Sequence, residues 1–323
     1  MADLETRKLG RTGLRVAPIC LGGNVFGWTI DEAESFKVLD AYVAGGGDFI
    51  DSADVYSSWA PGNQGGESEM VLGKWLAARG NRDQLVIATK VGSPMGDGPK
   101  MRGLSRRRIV AAVEASLRRL QTDYIDLYQS HQDDRDTPLD ETLRAYEDLI
   151  RAGKVRYIGA SNYSAWRLTR ALWESDKYDL PRYETVQPPY HLLNRATFER
   201  ELEPMCAELG VGVITYSSLA SGFLTGKYRQ GGELPSSQRA GGVQKQYMND
   251  RGFGILDAVT AVAEAHSATP TQVALAWILS RPAITAPIAS ATTVSQVGEL
   301  LASAELKLAP EELQQLDTAS AWN

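Results

Sequence analysis

The sequence predicts an α/β protein folded as a (β/α)8 TIM barrel, preceded by a β-hairpin and carrying a long loop after its seventh strand. Three observations lead there. Short runs rich in Ile, Val, Leu and Tyr alternate with longer Ala- and Leu-rich stretches along the whole chain, the pattern of parallel strands joined by crossover helices. Eight such runs can be counted. Polar or ionisable residues stand at or just after the ends of successive runs, which in a barrel is the rim that carries the chemistry.

Taken in order, RKLGRTGLRVAPI reads as a hairpin that covers the lower mouth of the barrel. The strands fall at 19–21, 48–51, 85–90, 125–130, 155–160, 185–187 and 212–216, with a weaker eighth at 286–288. Amphipathic helical repeats occupy 106–120, 139–152 and 199–209, and several repeats end at glycine, the residue that most readily turns left-handed past a helix. The arginines at 106–108 and 118–119 read as a solvated face of the first of these helices. From Ser217 to Asp250, Gly, Ser, Gln and Arg prevail with no sustained period. A loop of that length in a compact domain reads as a lid or a disordered segment. Residues 1–323 are read as a single barrel domain, a size such barrels routinely reach.

A net charge of −6 supplies no basic field for nucleic acid or an anionic membrane, so neither partner is expected. Any anionic ligand needs local positive charge. Cys20 and Cys206 lie in apolar surroundings without a CxxC, which suggests neither a disulfide framework nor a thiolate metal site. The opening MADLETRKLGRTG lacks a signal-peptide core and no later stretch reads as a membrane span, so a cytoplasmic location is expected. GFLTGKY departs from a phosphate loop, and no GxGxxG joins a strand to a helix. Asp133, Asp134 and Asp136 follow His131, but His191 and His266 give no HxH or HxxxH, and no metal is expected.

Asp51, Lys90, His131, Ser161, Gln187 and Tyr216 mark the ends of successive strands and should converge on one rim. Tyr56, in FIDSADVY, follows Asp51 in the loop above the second strand. Together Asp51, Tyr56, Lys90 and His131 make a proton-transfer group. A phenol with a pKa of ~10 needs help to exchange its proton at neutral pH, and a nearby ammonium would lower that value. Asp51 would keep Lys90 charged, and His131 would orient a substrate oxygen by donating a hydrogen bond. Singly, each has a plain structural explanation: a buried ion pair, a core histidine, loop packing. The coincidence of all four carries the reading. Trp28, Trp59, Tyr190 and His191 are candidates for an apolar substrate pocket above the strands, with surface or core packing the equal alternative for each.

Seven segments, GRTGLRVAPICLGG, FIDSADVY, ATKVG, LQTDYIDLYQSH, GKVRYIGASN, VQPPYHLLNR and YSSLASGFLTGKY, resemble aldo-keto reductase motifs in that family's order, over residues 5–318. The resemblance is to the bacterial NADP-dependent type, related to the branch that contains potassium-channel β subunits. It implies hydride transfer from a nicotinamide to an aldehyde or ketone, with Asp51, Tyr56, Lys90 and His131 as the catalytic tetrad. It further implies that Ser161, Asn162 and Gln187 hold the carboxamide and that Tyr216 stacks on the nicotinamide. Gly23 and Asn24 would touch the nicotinamide ribose or the substrate. By the same resemblance Ser217, Leu219, Gly222 and Lys227 wrap the pyrophosphate, and Arg239 meets the adenosine phosphate. Ser290, Thr292, Gln296 and Glu299 would close over the adenosine. Relatives often carry Arg or Lys near Thr292 and Asn where this chain has Leu300, so the 2′-phosphate contacts are weaker than usual. NADP(H) is expected ahead of NAD(H).

Two rival functions stay open at this stage. Lys90 could form a Schiff base in a lyase, if its pKa were lowered. The fold could also serve as a non-catalytic NADP-binding regulatory subunit, as the channel β subunits suggest, although His131 favours an enzyme.

Overall fold

The computed structural model describes residues 4–322. Residues 1–3 of the opening stretch read for a leader, and residue 323 at the end of the expected domain, lie outside them.

A two-stranded antiparallel hairpin, β1 (Arg7–Lys8) and β2 (Arg15–Val16), comes first. The barrel follows as β3 (Cys20–Gly22), β4 (Phe49–Asp51), β5 (Val86–Val91), β6 (Ile125–Ser130), β7 (Val155–Ser161), β8 (Tyr183–Gln187), β9 (Gly212–Thr215) and β10 (Ile284–Ala289). Neighbours pair in parallel in chain order, and β10 closes on β3 with Ile288 opposite Cys20. Every residue of β5, β6 and β10 is buried, because a parallel strand packs the barrel interior on one face and helices on the other.

The interior is filled by Cys20, Phe49, Val86, Ala88, Leu127, Ile214, Ala286 and Ile288, and the hairpin adds Leu9 and Val16 to that cluster. The hairpin therefore plugs the N-terminal mouth. Its tip needs glycine: Gly10 has φ +58°, and a Cβ there would fall 2.2 Å from the Glu184 carbonyl oxygen.

The outer layer comprises α1 (Glu32–Ala44), α2 (Glu67–Arg79), α3 (Arg106–Leu120), α4 (Leu139–Arg151), α5 (Ala165–Tyr178), α6 (Ala196–Glu199) and α7 (Leu202–Leu209). Beyond these come α8 (Ala240–Tyr247), α9 (Asp250–Ala265), α10 (Pro270–Leu279), α11 (Val294–Ala302) and α12 (Pro310–Ala319). Helix α3 shows how local sequence sets an element: the Ser105 hydroxyl caps its start, accepting from the Arg108 N–H, and Gln121 ends it at φ 52°. Between these limits Ile109, Val113, Leu117 and Leu120 form the buried stripe. Helices α2 and α3 approach closely at Gly73, where a Cβ would sit 2.0 Å from the Arg119 carbonyl oxygen.

Three expectations need correction. The helix expected at 199–209 is divided between α6 and α7, because the backbone leaves helical geometry at Glu201, with φ −136°. The loop expected from Ser217 to Asp250 contains a 3-10 segment, Ala220–Thr225, and α8. The arginines on α3 are not all solvated: Arg108 and Arg119 turn inward onto Asp54 and Glu69. Among the described residues no helix is long and apolar enough to cross a membrane.

Candidate active site

Strand ends bring the expected residues to one rim. Asp51 closes β4, Lys90 is the penultimate residue of β5, His131 follows β6, Ser161 and Gln187 close β7 and β8, and Tyr216 follows β9. Lys90 and Asp51 are fully buried and joined by an ion pair of 2.5 Å. A buried pair survives only if its remaining hydrogen-bonding capacity is met. Here it is: Lys90 Nζ donates to Asp51 Oδ2, to the Ser52 carbonyl oxygen at 2.8 Å and to Tyr56 Oη at 2.8 Å. The second carboxylate oxygen accepts from Gln129 Nε2 at 3.1 Å and Gln187 Nε2 at 3.0 Å.

Tyr56 rides on a turn beyond β4. Backbone N–H groups of Ser52 and Asp54 donate to the Ala88 and Lys90 carbonyls, tying the turn to β5. Ser57 Oγ donates to the Phe26 carbonyl, and Asn63 Nδ2 donates to Gly27 and Ser57 carbonyls. The phenol donates to Asp51 Oδ2 at 3.3 Å. Burial first and the Asp51 carboxylate second raise its pKa well above the ordinary value. Burial and the carboxylate therefore outweigh the lowering expected from Lys90, and the resting phenol is held protonated. His131 meets Tyr56 edge to face, with ring centroids 6.0 Å apart. Burial, assisted by Lys90, pushes its imidazole down to about 3, so the ring is neutral at physiological pH, and its Nδ1 is buried without a partner.

Tyr56 forms one wall of a cavity of about 1350 Å3. That exceeds the ~300–1,000 Å3 of pockets for drug-sized ligands and leaves room for a dinucleotide beside a substrate. Asn24 and Trp28 line it after β3, and Trp59 joins from the Tyr56 turn. Tyr216, Ser217, Leu219, Gly222, Lys227 and Arg239 contribute from the strap after β9, and Ser290, Thr292, Gln296 and Glu299 from beyond β10. Gly22 belongs to the same wall, where a Cβ would fall 2.7 Å from Ser290 Oγ. Strap residues Ser217, Ala220 and Ser221 hold positive φ, a costly backbone arrangement that functional segments tolerate.

Two cations face this space. Neither Lys227 nor Arg239 has a carboxylate partner among the described residues, and burial lowers the pKa of both. A partly desolvated, unpaired charge is expensive unless a ligand anion meets it. The size, the unpaired cations and the close-fitting glycine all suit a phosphate-bearing cofactor. Arg239 lines this cavity with its guanidinium 5.7 Å from the centre of the Trp28 ring.

The remaining residues sit behind the cavity wall. Asn162 links two rim residues, donating to the His131 carbonyl and accepting from Tyr216 Oη, both at 2.8 Å. Ser161 Oγ donates to the Gln187 carbonyl, and Gly23 N–H donates to that of Asp51. Trp28 and Trp59 meet edge to face, 5.4 Å apart, and Trp59 reaches within 6.1 Å of Tyr56. Tyr190 and His191 do not join them. Tyr190 stacks on Trp277 and donates to Glu199, while His191 is buried against Tyr247. Their backbone still pairs with Tyr216 through Pro189 and the Tyr190 N–H, but both side chains pack against helices, Tyr190 on Trp277 of α10 and His191 on Tyr247 of α8.

Three residues went unread in the sequence. Gln129 faces Asp51 two positions before His131, which the alternation of side chains along a strand could have revealed. Asp54 and Glu69 are buried behind Tyr56 and Lys90, and only the inward turn of Arg108 and Arg119 exposes their role. The acidic residues after His131 do not gather: Asp133 pairs with Arg167, and Asp134 accepts from Leu104 N and Thr137.

Comparison with known proteins agrees with this geometry. A family model described as the aldo/keto reductase family matches residues 18–321. The uncharacterized oxidoreductase YrpG of Bacillus subtilis (strain 168) is 41% identical over 320 residues, covering 97% of this chain and 95% of the relative. A probable voltage-gated potassium channel subunit beta of Arabidopsis thaliana is 35% identical, covering 92% of this chain and 90% of its own. The versiconal hemiacetal acetate reductase of Aspergillus parasiticus is 33% identical, covering 97% and 96%. This chain belongs to the aldo/keto reductase family of oxidoreductases.

Proposed function

We propose that this protein reduces small aldehydes or ketones with NADP(H), Tyr56 delivering the proton. The observation that carries the reading is the buried Asp51–Lys90 pair placed against a phenol on the cavity wall.

Asn24, Ser217, Leu219, Gly222, Ser290, Thr292, Gln296 and Glu299 would enclose the dinucleotide, with Lys227 and Arg239 meeting its phosphates. Tyr216, steadied by Asn162, would lie beside the nicotinamide, with Gly23, Ser161 and Gln187 supporting that region. When bound, the nicotinamide supplies hydride to the carbonyl carbon. Tyr56 gives its proton to the carbonyl oxygen and is left as phenolate. Lys90, 2.8 Å from that oxygen, stabilises the charge as it forms, so the cation acts on the product of proton transfer while the resting phenol stays protonated. Asp51 keeps the ammonium charged and fixed. His131, neutral, donates one hydrogen bond to the substrate oxygen and holds it near Tyr56. Trp28 and Trp59 receive the apolar substituent.

A Schiff-base role for Lys90 is disfavoured, because all three ammonium hydrogens are engaged and no lone pair is free to attack a carbonyl. The preference for NADP(H) over NAD(H) belongs to the same proposal, resting on the two unpaired cations.

The test is fluorescence titration with NADPH and NADH, followed by NADPH oxidation with 4-nitrobenzaldehyde, in the wild type and Tyr56→Phe. Wild type should bind and turn over, while the variant should bind and lose ~100- to 10,000-fold in turnover. Absence of nucleotide binding would end the reading and send Lys90 to borohydride trapping. Tight binding without turnover of any carbonyl would favour a regulatory subunit instead.

A further inference from the structure

Behind the Tyr56 turn lies a buried quartet of charges that the reaction above does not use. Glu69 of α2 accepts from Thr89 Oγ1 at 2.5 Å and from Arg119 Nε of α3 at 2.7 Å, so its carboxylate is fully engaged. Asp54 is different. One of its oxygens accepts from Arg108 Nη2 of α3 at 2.8 Å, while the other is buried with no partner, as is Arg108 Nε. A buried carboxylate left half satisfied costs stability, and well-packed apolar residues would join α3 to a loop more cheaply.

Position suggests what it is for. The Asp54 backbone N–H donates to the Lys90 carbonyl at 3.2 Å, and its side chain is anchored to α3. Two residues later comes Tyr56, whose own N–H donates back to the Ala53 carbonyl at 3.2 Å. Asp54 is thus the one residue of the turn fixed to both β5 and α3 immediately before the phenol.

We propose that ionised Asp54, clamped by Arg108, is a positioning residue that holds the Tyr56 phenol on Lys90. The inference rests on Tyr56 being the proton donor. Every charged or titratable group that faces Asp54 acts on its ionisation. Glu69 from α2 opposes the carboxylate, Arg108 and Arg119 from α3 favour it, Tyr128 from β6 presents a buried hydroxyl with no partner, and Tyr146 from α4 presents a buried hydroxyl held by Ser130. Burial outweighs the two arginines and pushes Asp54 up to about 7. The clamp therefore loosens as pH falls through neutrality, and turnover falls with it.

The experiment measures kcat for 4-nitrobenzaldehyde reduction from about pH 5.5 to about pH 9, with NADPH Kd, in wild type, Asp54→Asn and Arg108→Gln. In the wild type kcat should decline below an inflexion near neutrality. Asp54→Asn should lose about 100-fold in kcat, the cost of a catalytic group displaced by ~1 Å, and its kcat should no longer show that inflexion. Arg108→Gln weakens the clamp and should lower kcat in the direction of Asp54→Asn, with the remaining inflexion moved up by about one pH unit. NADPH Kd should change by less than about threefold throughout. Wild-type kcat in Asp54→Asn, or the same inflexion in all three proteins, overturns the proposal. If Asp54→Asn does not fold, an unmoved inflexion in Arg108→Gln overturns it alone. Tyr56→Phe separates the two readings. If the wild type turns over, Tyr56→Phe does not and Asp54→Asn matches the wild type, only the positioning role falls. If Tyr56→Phe is fully active, both fall.

Discussion

Lys90 Nζ lies 2.8 Å from Tyr56 Oη and 4.5 Å from the centre of the same ring, so the ammonium sits at the oxygen end of the phenol. Its charge is worth most when that oxygen becomes negative. Lys90→Met should therefore lower kcat by ~1,000-fold while NADPH Kd moves by no more than a few-fold. It should also destabilise the fold by ~3–5 kcal/mol, since Asp51 is left buried and uncompensated. Steady-state kinetics beside a urea titration check both. A variant with normal kcat would remove Lys90 from the chemistry.

The rim was legible because parallel strands are apolar on both faces, which leaves an ionisable residue at a strand end conspicuous: Asp51, Lys90 and His131 could be placed from spacing alone. Contacts between distant segments were not. Glu199, just before the break at Glu201, meets Trp322 more than a hundred residues away, a contact no local pattern reveals. Tyr190 and His191 follow a strand as pocket residues do, yet their side chains are buried against Trp277 and Tyr247 of distant helices. The arginines of α3 show the same limit. Helical periodicity places Arg108 near the boundary of the buried face, and only the position of Asp54, from a different βα unit, decides that it turns in.

Gln129 and Gln187 both donate to Asp51 Oδ1, and Gln187 also donates to Gln129 Oε1 at 3.2 Å. The three side chains form a closed buried network, in which losing one member leaves others unsatisfied. Gln129→Leu removes one donor to Asp51 and the acceptor of Gln187. Stability should fall by ~1–3 kcal/mol, and kcat by roughly tenfold as Asp51 loses its fixed orientation toward Lys90. Unaltered kcat, with stability reduced as expected, would make Gln129 a scaffold residue alone.

In the proposed function Lys227 and Arg239, which line the cavity without a carboxylate partner among the described residues, meet the cofactor phosphates. Replacing either with Met should raise NADPH Kd about tenfold, the loss of one charge-assisted contact of ~1.4 kcal/mol. Arg239→Met also frees Trp28 from the guanidinium above it, so KM for an aromatic aldehyde should change in that variant and not in Lys227→Met. Titrations at low and high salt should weaken wild-type binding more than that of either variant. Equal salt dependence in all three would place the phosphates elsewhere.

His191 gives the fold an acid-sensitive point away from the catalytic rim. Its Nδ1 accepts from the Leu193 N–H at 3.2 Å, its Nε2 lies 3.4 Å from Tyr247 Oη, and the ring is 1% exposed. Burial first and Arg251 second push its pKa from 6.5 down to about 4. Between those values the unfolded chain binds a proton that the folded ring refuses. The stabilisation is therefore complete above the unfolded pKa and is lost as pH falls through this window, by roughly 3 kcal/mol at its lower end. Urea unfolding of wild type and His191→Gln at about pH 8 and about pH 4.5 isolates this contribution, because the carboxylates common to both proteins cancel. The wild type should lose more stability than the variant on acidification. Equal losses would show that His191 takes up its proton without unfolding the packing around Tyr247.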